Sequence, residues 1–419
     1  MGKSGVSGGG ISQHILRAFE SLRNPVYRFY YVSMVCQWSA INMDMVARSL
    51  LLYRLTGSGA ILGGMALANA IPTILLSLLG GAIADRVQKK YVLLVGQSTA
   101  VIVSLGIAVA LSTGYLSTEH SGSWWVLIAC SALQGGIVGI VMPSRQAIIP
   151  EIVSEQQVMN AVSLNILGQN TFRLLAPAVT GVLIDTVDFD VVYYIMTGIY
   201  FLGTILVVFM PTTSTINLRR SSTLTDVLEG VRYIRQQTTI LLIIILTLTG
   251  IILTMPFMQL LPMFTEDILK VSATNMGLLL TISGLGAILA SLALAYLPKK
   301  KQGLILLVSS LIVSLALVFF SFSHWWHLSL VLIFFIGVGM SGHQTASISL
   351  VQYYTEAKYR GRMMSFLMMG LGFAGLGSFF AGILAQAVGV QWSVGGLAML
   401  FVLISILIFT LTPRLRKLD

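Results

Sequence analysis

The chain has 419 residues, of which 56% are hydrophobic and 10% are charged, and its mean hydropathy is +0.88. So few charged residues do not cover a soluble globule of this size with polar surface, so the composition excludes a soluble enzyme or binding protein. The formal net charge of +10 would suggest nucleic acid as a partner of a soluble protein, but its distribution along this chain has another meaning.

Runs of apolar residues divide the chain into membrane-spanning segments. A helical span needs about 20 apolar residues, and about twelve such runs with short connections fill the chain. We therefore predict an all-α membrane protein with twelve transmembrane helices in a lipid bilayer. The predicted helices are 28–52, 60–84, 91–112, 124–142, 158–184, 191–210, 240–264, 275–297, 304–322, 328–350 and two more that end near 411.

A polar stretch at 211–239 interrupts this pattern after the sixth helix. It is too charged to cross a bilayer, so it predicts a cytoplasmic linker. The linker joins an N-terminal bundle of six helices, 28–210, to a C-terminal bundle of six helices, 240–412. Residues 1–27 are expected to form a cytoplasmic tail with an amphipathic lead-in, and 413–419 a second cytoplasmic tail.

The basic residues outside the helices lie almost entirely on one side of the predicted membrane. The other side holds only Arg54 and Lys270, together with the acids Glu119, Asp185, Asp188, Asp190, Glu266 and Asp267. By the positive-inside rule this distribution places both termini in the cytoplasm, and we expect a multi-pass protein of the bacterial inner membrane. Since the positive charge orients the protein, we expect no nucleic-acid partner.

The two halves of the chain repeat one another. Residues 144–147 near the end of the fourth helix correspond to 342–345 near the end of the tenth, and 181–183 correspond to 382–384. Because each half holds an even number of spans, both copies have the same orientation in the membrane. The pattern therefore predicts two pseudo-symmetric bundles related by an axis along the membrane normal.

The turn after the second helix carries closely spaced charges. Within residues 80–90 it contains Gly81, Asp85, Arg86, Lys89 and Lys90, and Gln88 stands where a glycine would be usual. This spacing resembles the signature loop between helices 2 and 3 of the major facilitator superfamily. With the linker and the repeat, the loop makes nearly the whole chain resemble that family and its fold.

Two further stretches resemble one bacterial branch of the superfamily, which contains the enterobactin exporter and macrolide efflux proteins. These stretches are 52–58, after the first helix, and 172–181, within the fifth. The second is also similar to the Pro/Gly motif of exporters, with Pro177 and Gly181 in place and Ala176 where a glycine is usual. The resemblance implies an exporter.

The resemblance also implies a conformational gate on the cytoplasmic side. Asp85 would face the N-terminus of the eleventh helix, where the helix dipole favours a negative charge. The other members of this charge network would be Arg86, Lys89, Lys90 and Glu151. The alternative is a loop that only sets topology, which explains the lysines but gives no reason for Asp85.

Three charged residues lie inside the predicted spans. Asp44 and Arg48 share one face of the first helix at a spacing of i and i+4, and Arg173 lies near the middle of the fifth helix. A charge at mid-bilayer costs about 2.5–3.5 kcal/mol, so each of them needs a partner or a wet cavity. Either the three form a structural ion-pair cluster, or Asp44 faces the cavity, binds a proton and couples proton flow to transport.

The family resemblance implies that helices 1, 4, 7 and 10 line a substrate cavity. With the neighbouring polar positions of the fifth helix, the candidates for substrate contact are Gln134, Asn165, Gln169, Gln259, His343 and Gln344. A single Gln or Asn in a membrane helix is more often a contact between helices. His343 occupies the repeat position of Arg145, so it fits a gate as well as a proton site.

The sequence contains no GxxxxGK[ST], HExxH or GxSxG pattern, so we expect neither an enzyme nor ATP-driven transport. We expect no cofactor and no metal ion, with the proton motive force as the energy source. We therefore predict a monomeric proton-coupled exporter that works by alternating access on amphipathic small molecules such as drugs or siderophores. The rivals are a lysophospholipid flippase of the same fold without proton coupling, and a nutrient importer.

Overall fold

The structure is a computed structural model that describes residues 19–120, 122–212, 229, 232–296, 301–356 and 358–412. For residues 78–86, 365, 368, 369 and 371 it describes the backbone without the side chains. The predicted tails at 1–27 and 413–419 and the predicted linker at 211–239 therefore fall largely or wholly outside the described residues.

The first half of the chain forms six helices. Asn24 caps the first of them, because its side chain accepts hydrogen bonds from the backbone N–H groups of Val26 and Tyr27. The helices are α1 (Pro25–Thr56), α2 (Gly59–Arg86), α3 (Lys89–Ser112), α4 (Trp125–Ile152), α5 (158–187) and α6 (189–208).

A single residue separates α5 from α6, which otherwise form one helical run, Val158–Val208. Asp188 has a φ of 70° there, and its carboxylate accepts a hydrogen bond of 2.7 Å from the N–H of Phe189. With a ψ of 172°, this conformation is rare for any residue other than glycine, so a single strained residue turns the chain without a loop.

The second half forms the matching six helices. Helix α7 (Thr238–Ile268) consists of two α-helical pieces, divided at Met255, and a closing π-helical turn, Phe264–Ile268. Gly389, with a φ of 86°, separates the last two helices. The remaining helices are α8 (Ala273–Tyr296), α9 (Gln302–Ser321), α10 (Trp326–Tyr354), α11 (Arg360–Val388) and α12 (Val390–Leu411).

Most of these helices are long and apolar enough to cross a bilayer. Among the described residues nine stretches meet that criterion, and one of them, Glu155–Val208, has 54 residues and is long enough for two crossings, α5 and α6. Helix α1 is 32 residues long and carries the buried charges, and α11 adds a shorter apolar piece, Gly372–Val388. The predicted all-α membrane fold with twelve transmembrane helices is confirmed.

One predicted boundary is wrong. The sequence analysis ended the fourth helix at Met142, before Pro143, whereas α4 continues through both Pro143 and Pro150 to Ile152. A proline removes one backbone donor, but a membrane helix tolerates that loss because neighbouring helices support it. The extra turns carry Arg145 and Glu151 on the helix rather than on a loop.

The two halves meet through pairs of helices that repeat by symmetry. Helix α2 packs against α11, and α5 packs against α8. At one seam a Cβ on Gly382 would lie 2.3 Å from the carbonyl oxygen of Gly59, and at the other a Cβ on Gly181 would lie 2.2 Å from that of Ala273. The matching close approaches follow the pseudo-twofold relation that the repeat predicted.

The bundle has two ends. We call the end with these close approaches and with the α1–α2 and α7–α8 connections the closed end. The opposite end, which carries the α2–α3 turn, the α10–α11 turn and residues 229 and 232–237, is the linker end. The basic residues predict that the linker end faces the cytoplasm.

Glycine is required where α4 crosses α2, so Gly135→Ala is expected to destabilise the protein. The added Cβ would lie 2.0 Å from the carbonyl oxygen of Asn69, and overpacking of this kind costs about 1–3 kcal/mol. The matched control is Gly198→Ala on α6, whose Cβ would meet nothing within 4 Å. Thermal unfolding of the purified variants should show a lower Tm for Gly135→Ala alone. Equal Tm values would contradict this packing.

Candidate functional site

A cavity of about 400 Å³ lies between the two halves. Helix α5 forms its wall on the N-terminal side, with Met45 of α1, and helices α7, α8 and α10 form most of the opposite wall. The lining follows α8 from Leu280 to Leu292, which runs from the level of the seam toward the linker end. The cavity therefore lies below the seam and extends toward the linker end.

The wall of the C-terminal half carries most of the uncharged polar groups. Thr247 of α7 donates a hydrogen bond of 2.8 Å to Ser347 of α10, and Gln344 is exposed to the cavity. His343 lines the same wall, and its Nδ1 lies 2.9 Å from the hydroxyl of Ser310. Two of the predicted substrate residues, His343 and Gln344, therefore lie on this cavity.

The cavity also has an apolar side. Four methionines, one on α1, two on α7 and one on α10, line it together with leucine, isoleucine and valine side chains. These methionines are Met45, Met255, Met258 and Met340. Thioether side chains adapt their shape to different ligands, so this wall suits an amphipathic molecule whose apolar part varies.

Asp44 and Arg48 form an ion pair inside the N-terminal half. Arg48 donates from Nη2 and Nε to Oδ1 of Asp44 at 2.9 and 3.2 Å, and from Nη1 to the hydroxyl of Ser131 at 3.1 Å. Both residues are buried. They border a separate void of about 10 Å³ with Gln134 and Tyr200, which is about enough for one water molecule.

The structure separates the third intramembrane charge from this pair. Arg173 lines the main cavity, and it makes no ion pair or hydrogen bond with any described residue. Asp44 is not among the lining residues of that cavity. In this conformation the sequence-predicted group of three is thus a pair in one place and a single cation in another.

The other predicted substrate residues lie elsewhere in this conformation. Gln134 borders the small void beside Asp44, and Gln259 donates a 3.3 Å hydrogen bond to the carbonyl oxygen of Leu62. Asn165 and Gln169 are half-buried on α5, toward the linker end from Arg173. None of these four residues is among those lining the main cavity.

Side chains from both halves hold the closed end together. The hydroxyl of Tyr53 donates to Asp267, and Arg54 donates from Nε to Oε1 of Glu266 at 2.9 Å, with Nη2 at 2.9 Å from the same oxygen. On the neighbouring helices the hydroxyl of Ser58 lies 3.0 Å from Oε1 of Gln386. The stretch 52–58, which carried the family resemblance, thus supplies three contacts to the other half.

Asp185 closes the second seam. Its carboxylate oxygens accept hydrogen bonds from the backbone N–H groups of Ala273 and Thr274, at 3.2 and 2.8 Å. These are the first residues of α8, so an acid at the end of α5 caps a helix of the other half. The sequence indicated only that Asp185 lies on the acidic side of the membrane.

At the linker end, two lysines of α3 bind to groups of the N-terminal half. Lys89 pairs with Glu151 at 2.6 Å between α3 and α4, and Lys90 donates to the carbonyl oxygens of Val208 and Met210. The predicted gate residues Asp85 and Arg86 lie outside the described side chains. Lys89 and Glu151 do lie together, as the predicted network has them.

The C-terminal half has its own contacts at the linker end. Arg362 of α11 pairs with Glu229 at 2.5 Å. The ring of Tyr233 stacks on that of Tyr359, with centroids 4.2 Å apart. Residues just before α7 therefore pack on the α10–α11 turn.

Comparison with known proteins agrees with this architecture. Residues 29–375 and 267–419 match the Major Facilitator Superfamily, which covers nearly the whole chain. The chain belongs to the major facilitator superfamily. It is therefore a membrane transporter and not an enzyme, as the sequence predicted.

The chain is also similar to two curated transporters. The chain is 26% identical to the staphyloferrin A transporter of Staphylococcus aureus (strain NCTC 8325 / PS 47) over 337 residues, which cover 78% of this chain and 82% of that protein. It is 23% identical over 172 residues to YfiS, an uncharacterised major facilitator transporter of Bacillus subtilis (strain 168), covering 40% and 39% of the two chains.

Solved structures of other transporters share the fold. A bacterial homologue of the human lysosomal transporter Spinster, inward-facing and unoccupied, has a TM-score of 0.74 at 12% identity, with 94% of this chain and 97% of that chain covered. The nucleoside transporter NupG has a TM-score of 0.72 at 13% identity, with 92% and 99% covered. At these identities the likeness concerns the fold alone.

The ion pair in α1 predicts a specific pattern of stabilities. Asp44→Asn should lower the free energy of unfolding by about 3–5 kcal/mol, because Arg48 would remain buried without its counter-ion. The double variant Asp44→Asn with Arg48→Met should recover most of that loss. Thermal or denaturant unfolding in detergent measures both. A single variant as stable as the parent would contradict the pairing.

The cap on α8 predicts a change in the conformational equilibrium. In a background without Cys36 and Cys130, Ser378→Cys reports opening of the closed end, because Ser378 is buried against Gly63 at the seam. Asp185→Asn should raise its labelling rate by a thiol reagent up to about tenfold, since two hydrogen bonds to a charged group are weakened in a solvent-screened place.

The control for this experiment is Glu119→Gln, which removes one charge from an exposed loop at the same end. Its labelling rate should equal that of the parent. If Asp185→Asn behaves like Glu119→Gln, the cap does not hold the seam closed.

Proposed function

We propose that this protein is a secondary active transporter of the inner membrane that exports amphipathic organic molecules by alternating access, with protons moving in the opposite direction. The carrying observation is the arrangement of the two halves. They are joined at the closed end, and a cavity lined by both of them lies below the joint. Such a joint, if it opens when the other end closes, exposes the cavity to one side of the membrane at a time.

The orientation rests on the distribution of charge. With the linker end in the cytoplasm, as the basic residues predict, the cavity extends toward the cytoplasm. An exporter binds its substrate from that side. The resemblance of 172–181 to the exporter motif supports this direction, and Pro177 and Gly181 of that stretch lie where α5 meets α8.

The gate at the linker end completes the proposed cycle. We assign it to Asp85, Arg86, Lys89, Lys90 and Glu151. Lys89 and Glu151 already hold the ends of α3 and α4 together as one unit. In this gate Asp85 would face the first turn of α11, as Asp185 faces the first turn of α8 at the closed end.

Proton coupling is assigned to Asp44 and Arg48. Asp44 lies within a span, beside a void with room for about one water molecule. Its carboxylate forms an ion pair with Arg48 on the same helix. If the change of state separates the two groups, the buried carboxylate loses its partner and takes up a proton. No cofactor is needed, since the proton gradient supplies the free energy.

The substrate class follows from the cavity and the relative. The cavity wall combines methionines with a histidine, a glutamine and hydroxyl groups, which suits an amphipathic small molecule. The staphyloferrin A transporter, at 26% identity over most of both chains, supports a siderophore-like molecule among the candidates.

Transport in everted membrane vesicles tests the proposal. The vesicles contain the full chain and are supplied with staphyloferrin A or a panel of amphipathic dyes, with and without an imposed pH gradient. We expect uptake of at least one compound that depends on the gradient, and loss of that dependence in Asp44→Asn. Uptake that ignores the gradient would contradict proton coupling, and uptake in right-side-out vesicles only would contradict export.

A control variant separates coupling from a general loss of charge. Glu119→Gln removes an exposed acid far from the cavity and should transport as the parent does. If Asp44→Asn remains fully coupled, Asp44 has no part in the mechanism.

A further inference from the structure

Arg173 is a single positive charge on the wall of the main cavity. Its side chain is exposed there, while protein surrounds it on most other sides. The described residues offer it no ion pair and no hydrogen bond. A cation held deep in a membrane protein needs a counter-charge or water, and the described protein groups supply no counter-charge here.

No acid faces it across the cavity. The lining contains one arginine, one histidine, amides, hydroxyl groups and apolar side chains, but no aspartate or glutamate among the described residues. The cavity therefore has a positive potential, which in a region of low dielectric acts strongly on a small ligand.

The fold does not require a charge at this position. The repeat that aligns Gly181 with Gly382 aligns Arg173 with Ala374 of α11. At the seam the neighbouring residue, Leu174, makes the contact between the halves, because its carbonyl oxygen accepts a 2.8 Å hydrogen bond from Thr281 of α8. Packing and closure are thus accounted for by residues other than Arg173.

We propose that the cavity selects substrates that carry an anionic group, and that Arg173 binds this group. A carboxylate is the best match, because the guanidinium presents two parallel N–H donors to its two oxygens. The apolar part of the substrate then lies against Met255, Met258 and Met340, and its polar part faces Gln344. This inference rests on the proposed function, and it names the substrate class of the same cavity.

The position of Arg173 also links binding of the anion to the conformational change of the transporter. Arg173 belongs to the N-terminal half, whereas Gln344 and most of the lining belong to the C-terminal half. A substrate bound to Arg173 therefore contacts both halves just below the seam. Neutralising a desolvated cation there favours a state in which the cavity closes around the ligand.

Thiol labelling measures the potential of the cavity without any substrate. The reporter is Ala287→Cys, on the cavity wall of α8, in the full chain without Cys36 and Cys130. We compare a methanethiosulfonate reagent that carries a sulfonate with one that carries a trimethylammonium group. We measure the ratio of the labelling rate with the anionic reagent to that with the cationic reagent. Arg173 should raise this ratio, and Arg173→Gln should lower it by about threefold to tenfold.

Two variants control this measurement. Arg173→Lys keeps the charge and should keep most of the ratio. Lys270→Asn removes one positive charge at the closed end, outside the cavity, and should leave the ratio unchanged. A ratio that Arg173→Gln does not alter, or that Lys270→Asn alters as much, would overturn the proposal.

A matched pair of small molecules then tests recognition of the anion itself. Phenylbutyrate and phenylbutyramide have nearly the same shape, and the first carries a carboxylate. At millimolar concentration the acid should slow labelling of the reporter by N-ethylmaleimide more than the amide does, and Arg173→Gln should remove the difference. An acid that protects no better than the amide contradicts the proposal.

These outcomes are independent of the transport assay. Labelling that depends on Arg173, with uptake that ignores a pH gradient, would reject proton coupling and keep the anion site. Gradient-driven uptake of neutral and cationic compounds only, together with an unaltered labelling ratio, would keep the transporter and reject the anion site.

Discussion

The close approach of the two halves at the closed end is the constraint on which the rest of the structure depends. Small residues allow α2 to meet α11 and α5 to meet α8 with backbone almost against backbone, and a Cβ on Gly382 or Gly181 would collide with a carbonyl oxygen of the other half. Tyr53, Arg54 and Asp185 add polar contacts at the rim. Because these bonds are few and at least partly exposed, they hold the seam closed without making it permanent.

Below this joint, the charged side chains of Asp44, Arg48 and Arg173 lie in two different places. Below it, the N-terminal half keeps Asp44 and Arg48 as a pair within its own core, away from the cavity. The cavity receives one arginine without a counter-ion. A paired charge belongs to the mechanism or stability of the bundle, and an unpaired one is available to a ligand. In the proposed mechanism the ion pair serves the proton and the single arginine serves the substrate.

The sequence predicted the fold closely and the site only in part. Apolar runs and charged turns are local features, so they gave the helix count, the repeat and the Lys89 and Glu151 neighbourhood. The predicted end of α4 was wrong because proline is weaker evidence of a helix boundary in a membrane protein than in a soluble one. The sequence of a helix that is apolar on all sides does not show which side faces a cavity. The sequence therefore contained no pattern that separates Arg173 from Asp44.

Distances between spin labels in lipid test alternating access most directly. One pair, Thr186→Cys with Val388→Cys, spans the halves at the closed end, and another, Glu155→Cys with Lys358→Cys, spans them at the linker end; all four residues are exposed. As pH or ligand is varied, the two distances should change in opposite directions, with the closed-end pair short when the linker-end pair is long. Distances that stay fixed, or that lengthen and shorten together, would contradict the account.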